Sequence, residues 1–119
     1  MMKRDSLDRL FSQYIRLRAK HTCQRCGKVY PSKSQGLHCA HIFSRGKLSV
    51  RYDPSNALAL CYGCHRYSDQ NKETVLYPLY ISKYGQQPFE LLRLRANTPK
   101  KIDRTAVELE LRLLLKGFE

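Results

Sequence analysis

Two pairs of cysteines with the same spacing are the residues in this chain best suited to chemistry. Cys23 and Cys26 form one CxxC pair, and Cys61 and Cys64 form the other. Four thiolates are the tetrahedral donor set that structural Zn²⁺ prefers, and a two-residue gap lets both sulfurs of a pair face one ion. The doubled spacing therefore predicts a zinc site with four cysteine ligands. A thioredoxin-like redox pair is disfavoured, because it would open a helix in a βαβ context.

The two cysteine pairs enclose an insertion of 34 residues, from 27 to 60. A zinc ion bound by both pairs would join the ends of this insertion and couple metal binding to folding. The fifth cysteine, Cys39, stands alone inside the insertion, in a segment that we predict to be a strand. We expect Cys39 to pack as a small apolar residue.

His41, Asn56 and His65 follow one another around the second cysteine pair. A histidine at the end of a strand, an asparagine in the returning turn and a histidine opening a helix are the parts of a one-metal phosphodiesterase. Such an enzyme needs a base with a near-neutral pKa to deprotonate water, and histidine is the usual choice. It also needs a divalent ion on the scissile phosphate. Each residue alone is more often structural, so the hypothesis rests on their joint placement.

The segment from about residue 23 to residue 71 resembles the HNH family of ββα-metal (His-Me finger) nucleases, in its branch with zinc-binding CxxC pairs. It is similar to phage and prophage HNH proteins, including the NinG/Rap recombination nucleases. The similarity is carried by three runs: His41-Ile42-Phe43-Ser44-Arg45-Gly46, Arg51-Tyr52-Asp53-Pro54-Ser55-Asn56 and Cys61-Tyr62-Gly63-Cys64-His65-Arg66-Tyr67.

The resemblance implies a metal-dependent DNA endonuclease and a role for each motif residue. His41 would be the general base that activates water, and Asn56 would brace the loop that carries it. His65 would bind the catalytic ion, Mg²⁺ or Mn²⁺, with other divalent ions such as Ni²⁺ also suitable. One active site cuts one strand, so a monomer would nick DNA, whereas a homodimer would give double-strand breaks.

One position departs from the family pattern. Many HNH nucleases place an acidic metal ligand immediately before the base histidine, and here that position is Ala40. His38, Cys39, a backbone carbonyl or water is left to complete the shell of the catalytic ion. His38 is the first candidate, although alternation along a strand would place His38 and His41 on opposite faces.

The balance of charge predicts nucleic acid as the partner. Lysine and arginine total 22 against 10 acidic residues, which gives a formal net charge of +12. Such an excess attracts polyanions, and phosphates supply most of the affinity of nucleic-acid binding. The candidates for phosphate contacts near the predicted hairpin and the following helix are Arg45, Lys47, Arg51 and Arg66.

The sequence disfavours a membrane role. The basic residues are spread along the whole chain, and no apolar run approaches the roughly 20 residues that would cross a bilayer. The first residues are soon polar and no apolar segment follows them, as it would in a signal peptide. We therefore expect a cytoplasmic protein from a bacterial or phage context.

Two other functions fit parts of the pattern. A zinc-ribbon protein that binds nucleic acid without hydrolysing it is favoured by Ala40. An assembly protein that binds a partner through its helical tail would show little affinity for nucleic acid. A salt titration separates them, because phosphate contacts make affinity fall steeply with salt.

Hydrophobic periodicity and turn residues predict the elements that position these groups. The fold class is α+β: a small ββα-metal (HNH) core with a four-cysteine zinc knuckle, preceded by one helix and followed by a helical tail. We expect a single domain, 1–119, with the core at about 21–71 and the helical extension at 72–119. The predicted helices are 6–20, one beginning near Cys64, 73–84 with a kink at Pro78, 89–96 with Pro88 at its first position, and 104–116 capped by Asp103; the predicted strands are 37–43 and 48–52.

Overall fold

A computed structural model describes residues 4–119 of the chain. Helix α1 and two strands precede four further helices, the α+β order that the sequence predicts. The elements are α1 (Ser6–Arg18), β1 (Leu37–His41), β2 (Ala57–Cys61), α2 (Tyr62–Gln70), α3 (Tyr77–Tyr84), α4 (Gln86–Ala96) and α5 (Arg104–Lys116). Short 3₁₀ turns lie at Leu48–Val50 and Pro54–Asn56, and one π-helical turn lies at Lys72–Leu76.

Helix α1 begins with a reciprocal capping box. The Asp5 carboxylate accepts the Asp8 N–H at 2.9 Å, and the Asp8 carboxylate accepts the Asp5 N–H at 2.9 Å. These bonds satisfy donors that have no partner within the helix. Leu7, Phe11 and Ile15 follow at four-residue spacing and are buried, so one stripe of α1 packs into the core.

The Asp5 carboxylate also joins α1 to two distant segments. It accepts the Tyr52 hydroxyl at 2.8 Å and lies 3.2 Å from the Arg104 guanidinium at the start of α5. Burial by itself raises the pKa of Asp5. The hydrogen bonds from Asp8 and Tyr52 and the charges of Arg104 and Arg51 outweigh burial and lower that pKa to about 2.

The hairpin pairs β1 with β2 in antiparallel register, with Leu37 opposite Cys61 and His41 opposite Ala57. The prediction that 48–52 forms a strand is wrong, because this segment turns through the 3₁₀ helix Leu48–Val50. The apolar run of β2 takes the position beside β1. Its first four residues are all fully buried, with α1 and α2 both in contact with the strand. A continuous apolar run gains more from such a site than an alternating one.

The helical tail is continuous with the core. The second CxxC pair opens α2 two residues earlier than predicted, because the Cys61 sulfur caps the helix. Pro78 lies in the first turn of α3, just after the π-helical turn, where its missing N–H leaves no bond unmade. Helix α4 begins at Gln86, so Pro88 is its third residue and not its first. Gly85 ends α3 with φ +103°, a value that suits glycine.

Apolar side chains of the helical tail lie deep in the same core as α1. The buried members are Leu76, Tyr80, Phe89, Leu92, Ala96 and Leu111, the last of these from α5, which packs against α1. Asp103 caps α5 by accepting the Ala106 N–H at 3.1 Å, as predicted. Within residues 4–119, no helix is both long enough and apolar enough to cross a membrane.

We predict that Asp5→Ala lowers the free energy of unfolding by about 1 kcal/mol, because it removes a helix cap. Asp5→Asn should cost less at pH 7, since the amide oxygen can still accept the Asp8 N–H. A carboxylate with a lowered pKa stabilises the fold above its unfolded pKa of 3.8, and this stabilisation is lost as the pH falls toward 2.

The asparagine variant should therefore lose less stability than wild type between pH 5 and about pH 2. Urea unfolding followed by circular dichroism measures both effects, with the exposed Glu73→Gln as control. Equal acid sensitivity of wild type and Asp5→Asn would contradict this account.

Candidate functional site

Each cysteine pair forms a tight turn that presents both sulfurs to one side. The Cys26 N–H lies 3.5 Å from the Cys23 sulfur, and the Cys64 N–H lies 3.5 Å from the Cys61 sulfur. Gly27 closes the first turn with φ +82°, a conformation that strains other residues. The second turn is the N-terminus of α2, where the helix dipole favours a thiolate.

Gln24 holds the first turn against the hairpin. Its N–H donates to the Ala59 carbonyl at 2.8 Å, and its side-chain oxygen accepts the Ala59 N–H at 2.8 Å. Gln24 thus pairs with both backbone groups of one β2 residue, as a neighbouring strand would. This clamp brings Cys23 and Cys26 beside Cys61 and Cys64.

The four sulfurs of Cys23, Cys26, Cys61 and Cys64 lie within 4.8 Å of one another. This is a set of four thiolate donors at a spacing that fits one tetrahedral Zn²⁺ ion. Cys39 is outside the cluster, and burial of its thiol raises its pKa to about 12. It therefore fits the predicted packing role.

The titration of the cluster also fits a bound cation. Burial raises the pKa of Cys23, but N–H donors, including those of Cys26 and Arg25, outweigh it and lower that pKa to about 6. Burial raises the pKa of Cys64 to about 12, and hydrogen bonds with the Cys61 and Cys23 sulfurs act in the same direction. Four adjacent thiolates repel one another, so a cation is needed for all four to be ionised together. Zinc would supply that charge.

A cleft of about 860 Å³ is lined by three histidines, one of which, His65, directly follows Cys64 of the cluster. Its walls come from α1, the 32–35 loop, β1, the loop after β1 and α2. His38 and His41 both line this cleft, and so do Leu37 and Cys39, so the cleft meets residues from both faces of β1.

His38 and His65 converge across the cleft. Their Nδ1 atoms are 3.0 Å apart, and their rings are nearly perpendicular at 84°. Two imidazoles bound cis to one ion, each about 2.0–2.1 Å from it, bring their nitrogens to roughly this separation. A direct N–H···N hydrogen bond has the same length. Burial and the neighbouring His38 lower the pKa of His65, which favours the neutral, ligating form.

His41 is held as a neutral imidazole. Its Nε2 lies 3.0 Å from the Arg51 carbonyl oxygen, and a carbonyl only accepts, so Nε2 carries the proton and Nδ1 does not. The Phe11 ring stacks on the imidazole with centroids 5.4 Å apart. Burial lowers the pKa of His41 to about 4, although the Arg51 carbonyl and Asp8 oppose this shift. Nδ1 is therefore free to accept a proton at pH 7.

Asn56 holds together the two ends of the loop that follows β1. The side chain is fully buried, and its oxygen accepts the Phe43 N–H at 2.9 Å. Its amide donates to the carbonyls of Phe43 and Val50, at 2.9 and 3.0 Å. The loop is thus fixed at two points, two residues after His41 and directly before Arg51.

The four predicted phosphate-binding residues lie in different surroundings. Arg45 lines the cleft, 3.6 Å from Asp8. Lys47 and Arg66 are exposed and contact the Asn97 side chain and the Tyr62 hydroxyl, respectively. The prediction fails for the fourth: Arg51 is only 5% exposed, and its guanidinium pairs with Asp8 inside the protein.

Sequence reasoning missed a polar row on α1 that forms one wall of the cleft. Its members recur every fourth residue beside the buried stripe, and this spacing in the sequence indicates one face of a helix. They are Asp8, Ser12 and Arg16, and Arg4, which precedes the helix, also lines the cleft. Lys33 and Lys72 add two further cations to the lining.

Comparison of the chain with protein-family models, with curated proteins and with solved structures gives no match in any of the three. The resemblance to HNH nucleases therefore rests on the motif residues themselves. The cluster and the cleft supply the geometry for a functional argument.

We predict that the purified chain contains one zinc ion and that Cys61→Ser loses it. The variant should also lose helical circular dichroism, since the ion joins two ends of the fold and its binding energy is folding energy. Cys39→Ala is the matched control and should retain zinc, because Cys39 lies outside the cluster. Elemental analysis and thermal unfolding measure both. A Cys61→Ser protein as stable as wild type would show that the cluster binds no structural metal.

Proposed function

We propose that the protein is a metal-dependent DNA endonuclease that hydrolyses phosphodiester bonds. The proposal rests mainly on one observation, the meeting of His38, His41 and His65 in a single cleft lined by cations. A pair of converging imidazoles is suited to a divalent ion, and a third, neutral imidazole is suited to a general base. The order of His41, Asn56 and His65 along the chain adds the resemblance to HNH nucleases.

His38 and His65 would hold the catalytic ion through Nδ1. Ala40, in place of the acidic ligand of many family members, is 1% exposed and offers no donor, so His38 takes over the role of second ligand. Two imidazoles favour Mn²⁺, Ni²⁺ or Zn²⁺ over Mg²⁺, which prefers oxygen ligands. When bound, the ion stabilises the negative charge that develops on the phosphate.

His41 would accept the proton of the attacking water at Nδ1. The water oxygen forms a bond to phosphorus, and the bond from phosphorus to the leaving oxygen breaks. A pKa of about 4 keeps the imidazole neutral before the reaction. The negative phosphodiester raises the proton affinity of an adjacent imidazole, so the base becomes stronger when substrate is present.

The cations of the cleft would bind the DNA backbone. Arg16, Arg45 and Lys72 surround the three histidines, and Lys33 lies on the facing loop. Contacts to phosphates position a nucleic acid without reading its sequence. We therefore infer low sequence specificity.

A nucleic-acid-binding protein without hydrolytic activity is the second candidate. It is favoured by the buried Ala40 and by the 3.0 Å separation of His38 and His65, which a hydrogen bond between the rings also explains. In that case the cleft would bind phosphates, and added metal would change nothing.

We predict that the zinc-loaded protein converts supercoiled plasmid to open-circle or linear DNA with Mn²⁺ or Ni²⁺, and more slowly with Mg²⁺. His41→Ala should reduce the rate by at least about 100-fold, the usual contribution of a general base. His38→Ala and His65→Ala should raise the metal concentration needed for half-maximal rate. His21→Asn is the control, since His21 does not line the cleft and asparagine tolerates its positive φ.

The outcome that overturns the nuclease proposal is equally specific. Folded, zinc-loaded wild type would leave supercoiled, branched and single-stranded DNA intact with each of the three ions. Retained binding to the same substrates would then support the second candidate.

We predict that Arg16→Gln weakens DNA binding and reduces the slope of log affinity against log salt by about one, the change expected for one lost phosphate contact. Arg9→Gln is the matched control, because Arg9 is an exposed arginine of α1 outside the cleft. Fluorescence anisotropy at several salt concentrations measures both without requiring cleavage. Identical salt slopes for the two variants would place the DNA elsewhere on the surface.

A further inference from the structure

Asp8, in the wall of the cleft, forms a buried ion pair with Arg51. The Asp8 side chain is 3% exposed and accepts hydrogen bonds from Arg51 Nε at 3.1 Å and Nη2 at 2.6 Å. Two parallel bonds between a guanidinium and a carboxylate fix the direction of both groups. The pair links α1 to the loop after β1, 43 residues along the chain.

The capping box of α1 does not account for the charge of Asp8. Its role there is to accept the Asp5 N–H, and a neutral amide oxygen fills that role equally well. A buried carboxylate costs desolvation free energy that only a well-placed cation offsets. The charge of Asp8 is therefore offset mainly by Arg51 at 2.6 Å, with Arg45 at 3.6 Å and the N-terminal end of the α1 dipole adding to it.

The backbone of Arg51 is the acceptor that orients His41. Its carbonyl takes the Nε2–H of His41 at 3.0 Å. Asn56 fixes the preceding peptide by donating to the Val50 carbonyl, and Asp8 fixes Arg51 itself through the side chain. The carbonyl is thus held from both sides. A shift of this peptide would release the Nε2–H of the ring.

Helix α1 also contacts the imidazole directly. Phe11, three residues after Asp8 on the same helix, stacks on His41 at an interplanar angle of 29°. One rigid helix therefore sets both the plane of the ring and, through Arg51, the partner of its N–H. Because Nε2 donates to the Arg51 carbonyl, Nδ1 is the nitrogen without a proton.

We propose that Asp8 is a positioning residue for His41. Through its ion pair with Arg51 it holds the Arg51 carbonyl against Nε2, and so fixes the tautomer in which Nδ1 accepts a proton in the cleft. The consequence for cleavage rests on the proposed function of His41 as general base, whereas the tautomer is a property of the folded protein alone.

The test compares wild type with Asp8→Asn, which keeps an acceptor for the capping box but loses the charge. Long-range ¹H–¹⁵N NMR of the imidazole rings reports which nitrogen of His41 carries the proton. We expect the Nε2–H tautomer in wild type and a mixture of tautomers in the variant. In the plasmid assay kcat should fall about 10- to 100-fold, as for other supporting groups around a reactive site.

Arg51→Lys is the second variant, for use where Asp8→Asn does not fold. It keeps the positive charge but cannot form two parallel bonds, so the same mixture of tautomers is expected. Asp103→Asn is the control, because Asp103 caps α5 in the same way and does not line the cleft. Zinc content and circular dichroism verify that each variant is folded.

An unchanged tautomer in folded Asp8→Asn or Arg51→Lys would overturn the proposal, whatever the effect on cleavage. A changed tautomer with unchanged kcat would also overturn the catalytic part of it. If the tautomer changes and wild type cleaves no DNA, the nuclease function fails while the positioning of the ring by Asp8 stands.

Discussion

The convergence of four cysteine sulfurs from the two ends of a 34-residue insertion is the constraint on which the rest of the structure depends. A short hairpin is marginally stable alone, and here its strands contain five residues each. The cysteine turns and the Gln24 clamp fix where β2 ends and α2 begins. His65 follows Cys64 directly, so the same constraint sets the position of one candidate metal ligand.

The three histidines of the cleft differ in their burial and in their contacts. His41 is stacked, bonded through Nε2 and neutral, whereas His38 and His65 meet through Nδ1. The surrounding arginines and lysines attract phosphate groups. Burial lowers the pKa of His41 and His65, and the charges of Arg45 and Lys72 act in the same direction. A basic cleft is therefore compatible with neutral imidazoles, which is the state that both metal binding and proton abstraction require.

Helix α1 has a second role in the folded protein besides packing the core. Its buried stripe packs the core, but the adjacent polar row faces the cleft and pairs with the loop after β1. Buried ion pairs such as Asp8–Arg51 contribute little net stability compared with apolar packing, so they are better explained by a requirement for position. The first helix is thus part of the candidate site, and Arg51 is one of its supports.

The sequence by itself determined the cysteine cluster, the α+β order and most helix ends, because these depend on local spacing and capping residues such as Asp103 and Gly85. It also determined the candidates His41, Asn56 and His65 through their order around the cysteines. Only the tertiary structure decided which segment pairs with β1, since burial on both faces of β2 outweighs the alternation of 48–52. The meeting of His38 with His65 and the burial of Arg51 against Asp8 likewise depend on contacts between residues 27 and 43 positions apart. No local pattern encodes such contacts, because the packing of α1 and α2 against the hairpin sets them.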